Sequence, residues 1–268
     1  MKVLYVAELV GKTGVYTLKK ALKNLKAKYR WDFLIVGADG ATGGNGLGRS
    51  HAGYIHKMGA NVITLGECCF YKKDLTENLD KCPYILRPEN LNEEAPGIGA
   101  KVFSAGGEKI AVAVFLGQNC FNRVHANNPF TALPVTAERL RKQTPYIIID
   151  FHAQASAEKK TFFYAADGIC SAVIGSHTRV QTADEFIMPS GTAFITDAGR
   201  TGSSQSVGGC EVNSRVKEYL TGIPDWTREA WSEPELQGVF LDIDKDGKTQ
   251  LIERIRHPIE LKPEAEID

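Results

Sequence analysis

Five apolar runs in this chain each stop on a residue able to coordinate a metal, and that recurrence constrains the fold more than any single motif. KVLYVA ends at Glu8, DFLIVGA at Asp39, NVITLG at Glu67, YIIIDF at His152 and SAVIGS at His177. One polar residue closing a buried strand is ordinarily a cap or a solvated turn. Three carboxylates and two imidazoles on one sheet edge are harder to account for, because burial without a cation sets them against one another. Between the runs lie segments of helical spacing: TLKKALKNLKAKY after a GKTG turn, SHAGYIHKMGA, and KKDLTENLDKC. This alternation predicts an α/β fold that binds its ligand at the carboxyl ends of the strands.

From about residue 101 the pattern turns richer in strand, with KVFSAG, KIAVAVFLG, YIIIDFH, SAVIGSH and TAFITDAG separated by helices at TAERLRKQ and ASAEKKTFFYAADG. The expectation is two packed sheets flanked by helices. At 268 residues, 43% hydrophobic and 24% charged, the chain fits one domain over 1–268 that ends in a β-hairpin at about 238–256. Acids and bases balance at 32 each, so no general field draws the protein to a nucleic-acid polymer or an anionic membrane. MKVLYVAE reaches a carboxylate too soon for a signal peptide or a membrane span, which predicts a cytoplasmic protein. The six cysteines, Cys120 among them, show no CxxC spacing and read as reduced thiols.

Imidazole and carboxylate ligands with no thiolate pair point to a divalent transition metal, manganese, iron or zinc. Two look-alike motifs are set aside. DIDKDGKTQLIE, 242–253, satisfies a calcium-loop pattern, but its flanks GVFLDID and TQLIERIRHP read as strands around a turn. GKT at 11–13 lacks the leading glycine of a phosphate loop, since Val6 stands there. His51, His56, His125 and His257 read as surface or capping residues.

The spacing of the strand ends, with the stretches ELVGKTG, GADGATGGNG, ITLGE, LRPEN, DFHAQASAEK, IGSHTRVQTADE and GTAFITDAGRTG, resembles the calcineurin-like metallophosphoesterases. Within them it is most similar to the YmdB-type 2′,3′-cyclic-nucleotide phosphodiesterases. The resemblance spans nearly the whole chain and implies a four-layer αββα sandwich of two mixed β-sheets flanked by helices. It also implies a two-metal site with a bridging carboxylate. One metal position falls to Asp39, Glu67, His152 and His177. The other falls to Glu8, Asp39 and residue 179, where the family carries the second histidine of Gly-x-His-x-His and this chain carries Arg179.

An arginine offers no lone pair and cannot coordinate. The resemblance therefore implies one metal per chain, with Arg179 supplying charge in place of the second ion and pairing with Glu8, Asp39 or both. The alternative is that Arg179 turns to solvent over a decayed site. Further departures are Glu8 for a family Asp, Asp39 for Glu, Gly40 for Asn, Glu67 for Asn, and Cys68 for a His that can protonate a leaving group. Two functions follow. The first is a phosphodiesterase acting on a small phosphodiester or nucleotide such as a 2′,3′-cyclic nucleotide, with Arg179 and Cys68 as catalytic candidates. The other is a catalytically silent protein of the same fold that binds a ligand or a protein. Either is compatible with a homo-oligomer.

Overall fold

The computed structural model describes residues 1–260 except 120, 122, 226 and 227, so Cys120 lies outside the described residues. In chain order the elements are β1 (Lys2–Val6), β2 (Glu8–Leu9), α1 (Gly11–Tyr29), β3 (Phe33–Gly37), α2 (Arg49–Lys57), β4 (Val62–Thr64), α3 (Lys73–Thr76) and β5 (Ile85–Leu86). There follow β6 (Ala100–Ala105), β7 (Glu108–Leu116), α4 (Pro129–Arg141), β8 (Ile147–His152), α5 (Ser156–Ala166) and β9 (Ala172–Ser176). The last are β10 (Phe186–Ile187), β11 (Ala193–Ile195), β12 (Arg200–Ser203), α6 (Val212–Thr221), β13 (Pro234–Ile243) and β14 (Thr249–Pro258). One mixed sheet runs β2-β12-β13-β1-β3-β4-β5, with β14 also on β13. The second runs β10-β11-β9-β8-β7-β6.

Strand periodicity explains the layering. Successive side chains of a strand face opposite ways, and here both faces of each sheet are apolar. Val3 and Tyr5 of β1, Phe33 and Ile35 of β3, Ile110, Val112 and Val114 of β7, and Ile148 of β8 meet in a cluster between the sheets. Their neighbours Leu4, Val6, Leu34 and Val36 pack outward with Leu18, Ala21 and Leu25 of α1. Ala111, Ala113, Phe115, Ile147 and Ile149 pack outward with Phe162 and Phe163 of α5. Three apolar layers thus separate four layers of backbone: helix, sheet, sheet, helix.

Three local readings change. GKTG is the first turn of α1 rather than a turn before it, and the Glu229 carboxylate accepts the Lys12 N–H at 2.8 Å. An acid of the chain itself thus satisfies this helix start, as the free N–H groups there require. KKDLTENLDKC forms no continuous helix, only α3 and a short 3₁₀ turn at Leu79–Lys81, too short to bury an apolar face. Strand β12 and helix α6 had no counterpart in the sequence pattern.

The calcium-loop look-alike lies between β13 and β14, which pair antiparallel from Glu235↔Pro258 to Ile243↔Thr249. At its turn, Asp244 Oδ1 accepts the N–H groups of Asp246 and Lys248 at 2.9 and 3.0 Å. These bonds hold the Asp244 carboxyl below its ordinary range and turn the loop acid toward backbone.

Candidate metal centre

The parallel strands β1, β3 and β4 of the first sheet and β7, β8 and β9 of the second deliver their carboxyl ends to one place. His152 closes β8, and its register partner on β9 is Ser176, so His177 emerges directly beside it. His152 is 3% exposed, and its Nε2 lies 3.1 Å from His177 Nδ1 and 3.8 Å from Asp39 Oδ2. Glu67 bridges the two imidazoles, through a short contact of Oε2 with His152 Nε2 and of Oε1 with His177 Nδ1 at 3.3 Å. Glu67, His152 and His177 offer ligand atoms all within 4.8 Å of one another, and so do Asp39, Glu67 and Cys68.

Gly66 lets His152 into this position. A β-carbon there would stand 2.2 Å from His152 Nε2, so the glycine of ITLGE is needed for the ring to pack over the backbone.

Behind His152 lies a polar relay that the sequence reading missed. Tyr5 O–H donates to Asp150 Oδ2 at 2.7 Å, and Ser176 O–H donates to Asp150 Oδ1 at 2.6 Å. Having spent its only proton on Asp150, Ser176 Oγ must accept from His152 Nδ1, 3.0 Å away. The relay therefore keeps a proton on Nδ1 and turns the lone pair of the neutral ring, on Nε2, toward Glu67 and Asp39. Such backing by a hydroxyl or carboxylate is what orients a metal-binding histidine. The available signal was Asp150 itself, an acid inside the otherwise apolar strand IIIDFH.

Arg179 does not turn to solvent. Its Nε and Nη2 donate to Glu8 Oε1 at 2.9 and 2.7 Å, while Nη1 donates to the Gly208 carbonyl and Nη2 to that of Gly44. Gly40 makes room for this pair: a β-carbon there would lie 2.7 Å from Arg179 Nη2 and 2.7 Å from Glu8 Oε1. Glu8 is thus engaged by the guanidinium and belongs to neither ligand group among the described residues.

The loop that presents His177 and Arg179 holds both in the left-handed region, at φ 97° and 60°. Side chains other than glycine and asparagine adopt that region at a cost of order 1–3 kcal/mol, so the surroundings must hold the loop. Thr178 between them is clamped by Asp197, whose Oδ2 accepts the Thr178 N–H and O–H at 2.9 and 2.7 Å and the Lys159 ammonium at 2.8 Å. Both members of the Lys159–Asp197 ion pair have 0% side-chain exposure. Arg200 Nη1 donates to the Arg179 carbonyl at 2.8 Å.

The donor set fits a divalent transition metal. Asp39 is 3% exposed, and its Oδ1 is buried with no hydrogen-bond partner among the described residues, while Oδ2 accepts the Cys68 N–H at 3.0 Å. Burial, together with the Glu67 and Glu8 carboxylates, pushes the Asp39 carboxyl up to about 7 despite the nearby His152. His152 is pushed the other way from what burial favours: contact with Glu67 lifts it to about 10. A protonated Nε2 then stands where the carboxylates call for a cation. Asp39, Glu67, His152 and His177 would hold the metal, two nitrogens and two oxygens.

A stability prediction follows for the metal-free protein. Between pH 6.5, the ordinary imidazole value, and about 10, folded His152 keeps a proton that the unfolded chain has lost. Its contribution is complete below that window and is lost as pH rises through it. Asp39 acts in the same sense between 3.8 and about 7, since the folded state resists ionising it. Glu67 is held below its ordinary 4.5, so its contribution is already complete above that value. Urea denaturation of the metal-free protein should show stability falling as pH rises above 6.5, with a flatter profile when metal is bound.

Beside the centre, Glu67, Tyr71, Phe121, Arg123, Val124, Gln154 and His177 line a cavity of about 170 Å³. The Phe121 ring packs edge-on against His177 at 5.0 Å, and the Arg123 guanidinium lies 5.6 Å over the Tyr71 ring. LRPEN serves elsewhere. Asn90 spans Leu116 and Asn127 with three hydrogen bonds, beside a separate cavity of about 690 Å³ that also contains Arg87, Glu89 and Arg139.

The family profile described as YmdB-like protein matches residues 4–255. The chain belongs to the YmdB-like family. It is 36% identical over 256 residues to a 2′,3′-cyclic-nucleotide 2′-phosphodiesterase of Bacillus subtilis, covering 95% of this chain and 96% of that one. A crystal structure of a novel phosphatase from Mycoplasma pneumoniae superposes with a TM-score of 0.89 at 32% identity, covering 96% of this chain and 93% of its own. A hypothetical protein from Thermus thermophilus superposes at 0.87 with 28% identity, covering 96% and 99%. The YmdB-like chain described here is therefore a metallophosphoesterase by family and by fold, its two mixed sheets carrying helices on both outer faces.

Proposed function

We propose that the protein is a cytoplasmic phosphodiesterase that hydrolyses a small phosphodiester such as a 2′,3′-cyclic nucleotide, using one divalent transition metal and Arg179 in place of a second. The observation that carries this reading is the Arg179–Glu8 pair seated over Gly40. Two changed side chains meet at hydrogen-bond distance and a third change, to Gly40, leaves the room they occupy, a fit which a decaying site would not maintain.

When bound, a divalent transition metal supplies polarisation of the phosphate and activation of water. Asp39, Glu67, His152 and His177 hold it, and the relay from Asp150 through Ser176 keeps Nε2 of His152 free for it. Arg179 holds a fixed positive charge next to the reacting phosphate, the role a guanidinium suits in a water-poor site. Four of its five N–H groups are committed to Glu8, Gly208 and Gly44, so one Nη1 N–H is left for a phosphate oxygen. Its contribution is chiefly electrostatic. The cavity of Tyr71, Phe121, Arg123 and Gln154 offers aromatic faces and hydrogen-bond donors, the chemistry that receives a nucleobase.

The test is to assay the purified protein on 2′,3′-cyclic AMP and on bis(p-nitrophenyl) phosphate with manganese, iron or zinc, while counting metal per chain. One ion per chain and metal-dependent turnover are expected. Two ions per chain, or turnover no faster than buffer with every metal, would refute it.

A further inference from the structure

We infer that Cys68 is a thiolate ligand of the metal centre, standing beside Asp39 and Glu67, so that the site presents sulfur as well as nitrogen and oxygen. The inference rests on the metal-centre reading above and adds a donor to it. Cys68 Sγ and one carboxylate oxygen from each of Asp39 and Glu67 lie within 4.8 Å of one another, and Glu67 is shared with the His152–His177 group. Glu67 is thus common to both donor groups, one completed by the two imidazoles and the other by Asp39 and Cys68.

Local backbone brings this about. The Cys69 N–H donates to the Gly66 carbonyl at 3.3 Å and the Tyr71 N–H to the Cys68 carbonyl at 3.0 Å, so 66–71 coils through successive turns. Both the N–H and the side chain of Cys68 thereby come to Asp39, whose Oδ2 accepts that N–H and whose Oδ1 is buried without a partner among the described residues.

The ordinary alternative for a buried cysteine is a small apolar filler. Cys69 meets that description: it is 2% exposed and packs in the apolar cluster outside the first sheet. Cys68 is equally buried at 4% but belongs to none of the three apolar clusters. Its sulfur accepts or donates no hydrogen bond among the described residues. On binding a divalent cation, the sulfur–metal bond forms and the thiol proton leaves to solvent.

Two consequences follow. A soft donor biases the site toward zinc or ferrous iron over manganese. A sulfur bound to metal is also not a proton donor, so Cys68 does not protonate the leaving group.

Cobalt(II) added to the metal-free full-length protein reads this directly, because a thiolate bound to cobalt produces an intense near-ultraviolet charge-transfer band. The band should appear in the wild type and in Cys69→Ser. It should vanish in Cys68→Ser, with the weaker visible cobalt bands retained and zinc–manganese competition shifted toward manganese. Visible bands without the charge-transfer band in the wild type would overturn the inference and leave the metal-centre reading intact, as would the same band in Cys68→Ser. Failure of cobalt, zinc and manganese to bind at all would overturn both. The wild-type and Cys69→Ser spectra decide the question even if Cys68→Ser does not fold.

Discussion

Replacing Arg179 by methionine is expected to cost up to about 3–5 kcal/mol of folding stability, the range for stranding a buried charge, here the carboxylate, since Arg179 itself is 21% exposed. The loss arises at Glu8, 3% exposed, whose Oε1 would forfeit both of its guanidinium donors. The carbonyls of Gly44 and Gly208 would each lose a partner as well. Removing both charges should be far milder, because a neutral leucine at position 8 needs no counter-ion. Urea denaturation of Arg179→Met, and of Arg179→Met combined with Glu8→Leu, measures the two. A single variant within about 1 kcal/mol of wild type would mean that the pair behaves like an exposed surface bridge and is not the device described here.

Metal affinity should fall roughly 10–100-fold in Ser176→Ala, the usual penalty for removing the group that orients a metal-binding histidine. The hydroxyl accepts from Nδ1 of His152 because its own proton goes to Asp150. With alanine there, the buried Nδ1 proton loses its acceptor, and the tautomer with Nε2 protonated, which cannot coordinate, becomes competitive. Tyr5→Phe is the control: it removes a donor to Asp150 Oδ2 but leaves the Ser176 polarity unchanged. Competition titration with a chromogenic chelator should find Tyr5→Phe near wild type and Ser176→Ala clearly weaker; equal affinities for the two would remove the relay from the account.

The positions of the site were legible in the sequence because buried parallel strands leave an unmistakable trace, an apolar run cut off by one polar residue. Glu67, His152 and His177 could be read in that way, and so could Asp39. What could not be read was anything decided by side-chain direction across long sequence separations. That Arg179 reaches Glu8 and not Asp39 depends on a left-handed backbone at residues 177 and 179, and on an Asp197 clamp from the end of β11. Neither leaves a local pattern. Asp150 was different, an acid flanked by Ile149 and Phe151 inside a strand, and its cost of burial alone could have flagged a polar network. The failed helix at KKDLTENLDKC shows the opposite limit. Its composition favours a helix, yet among its residues only Leu75 and Leu79 are fully buried, and propensity without a packed face does not sustain one.

The crowding at Gly40 makes positions 8, 40 and 179 a single unit of change. A side chain added at 40 would drive into the guanidinium, and a neutral residue at 179 would leave a buried carboxylate without its counter-charge. Each one-step route to a chain with a second histidine or an asparagine therefore passes through a form worse than either end. Whatever order of substitutions built this arrangement, single changes at these three positions should be rejected in a random library, and tolerated combinations should involve at least two of them together.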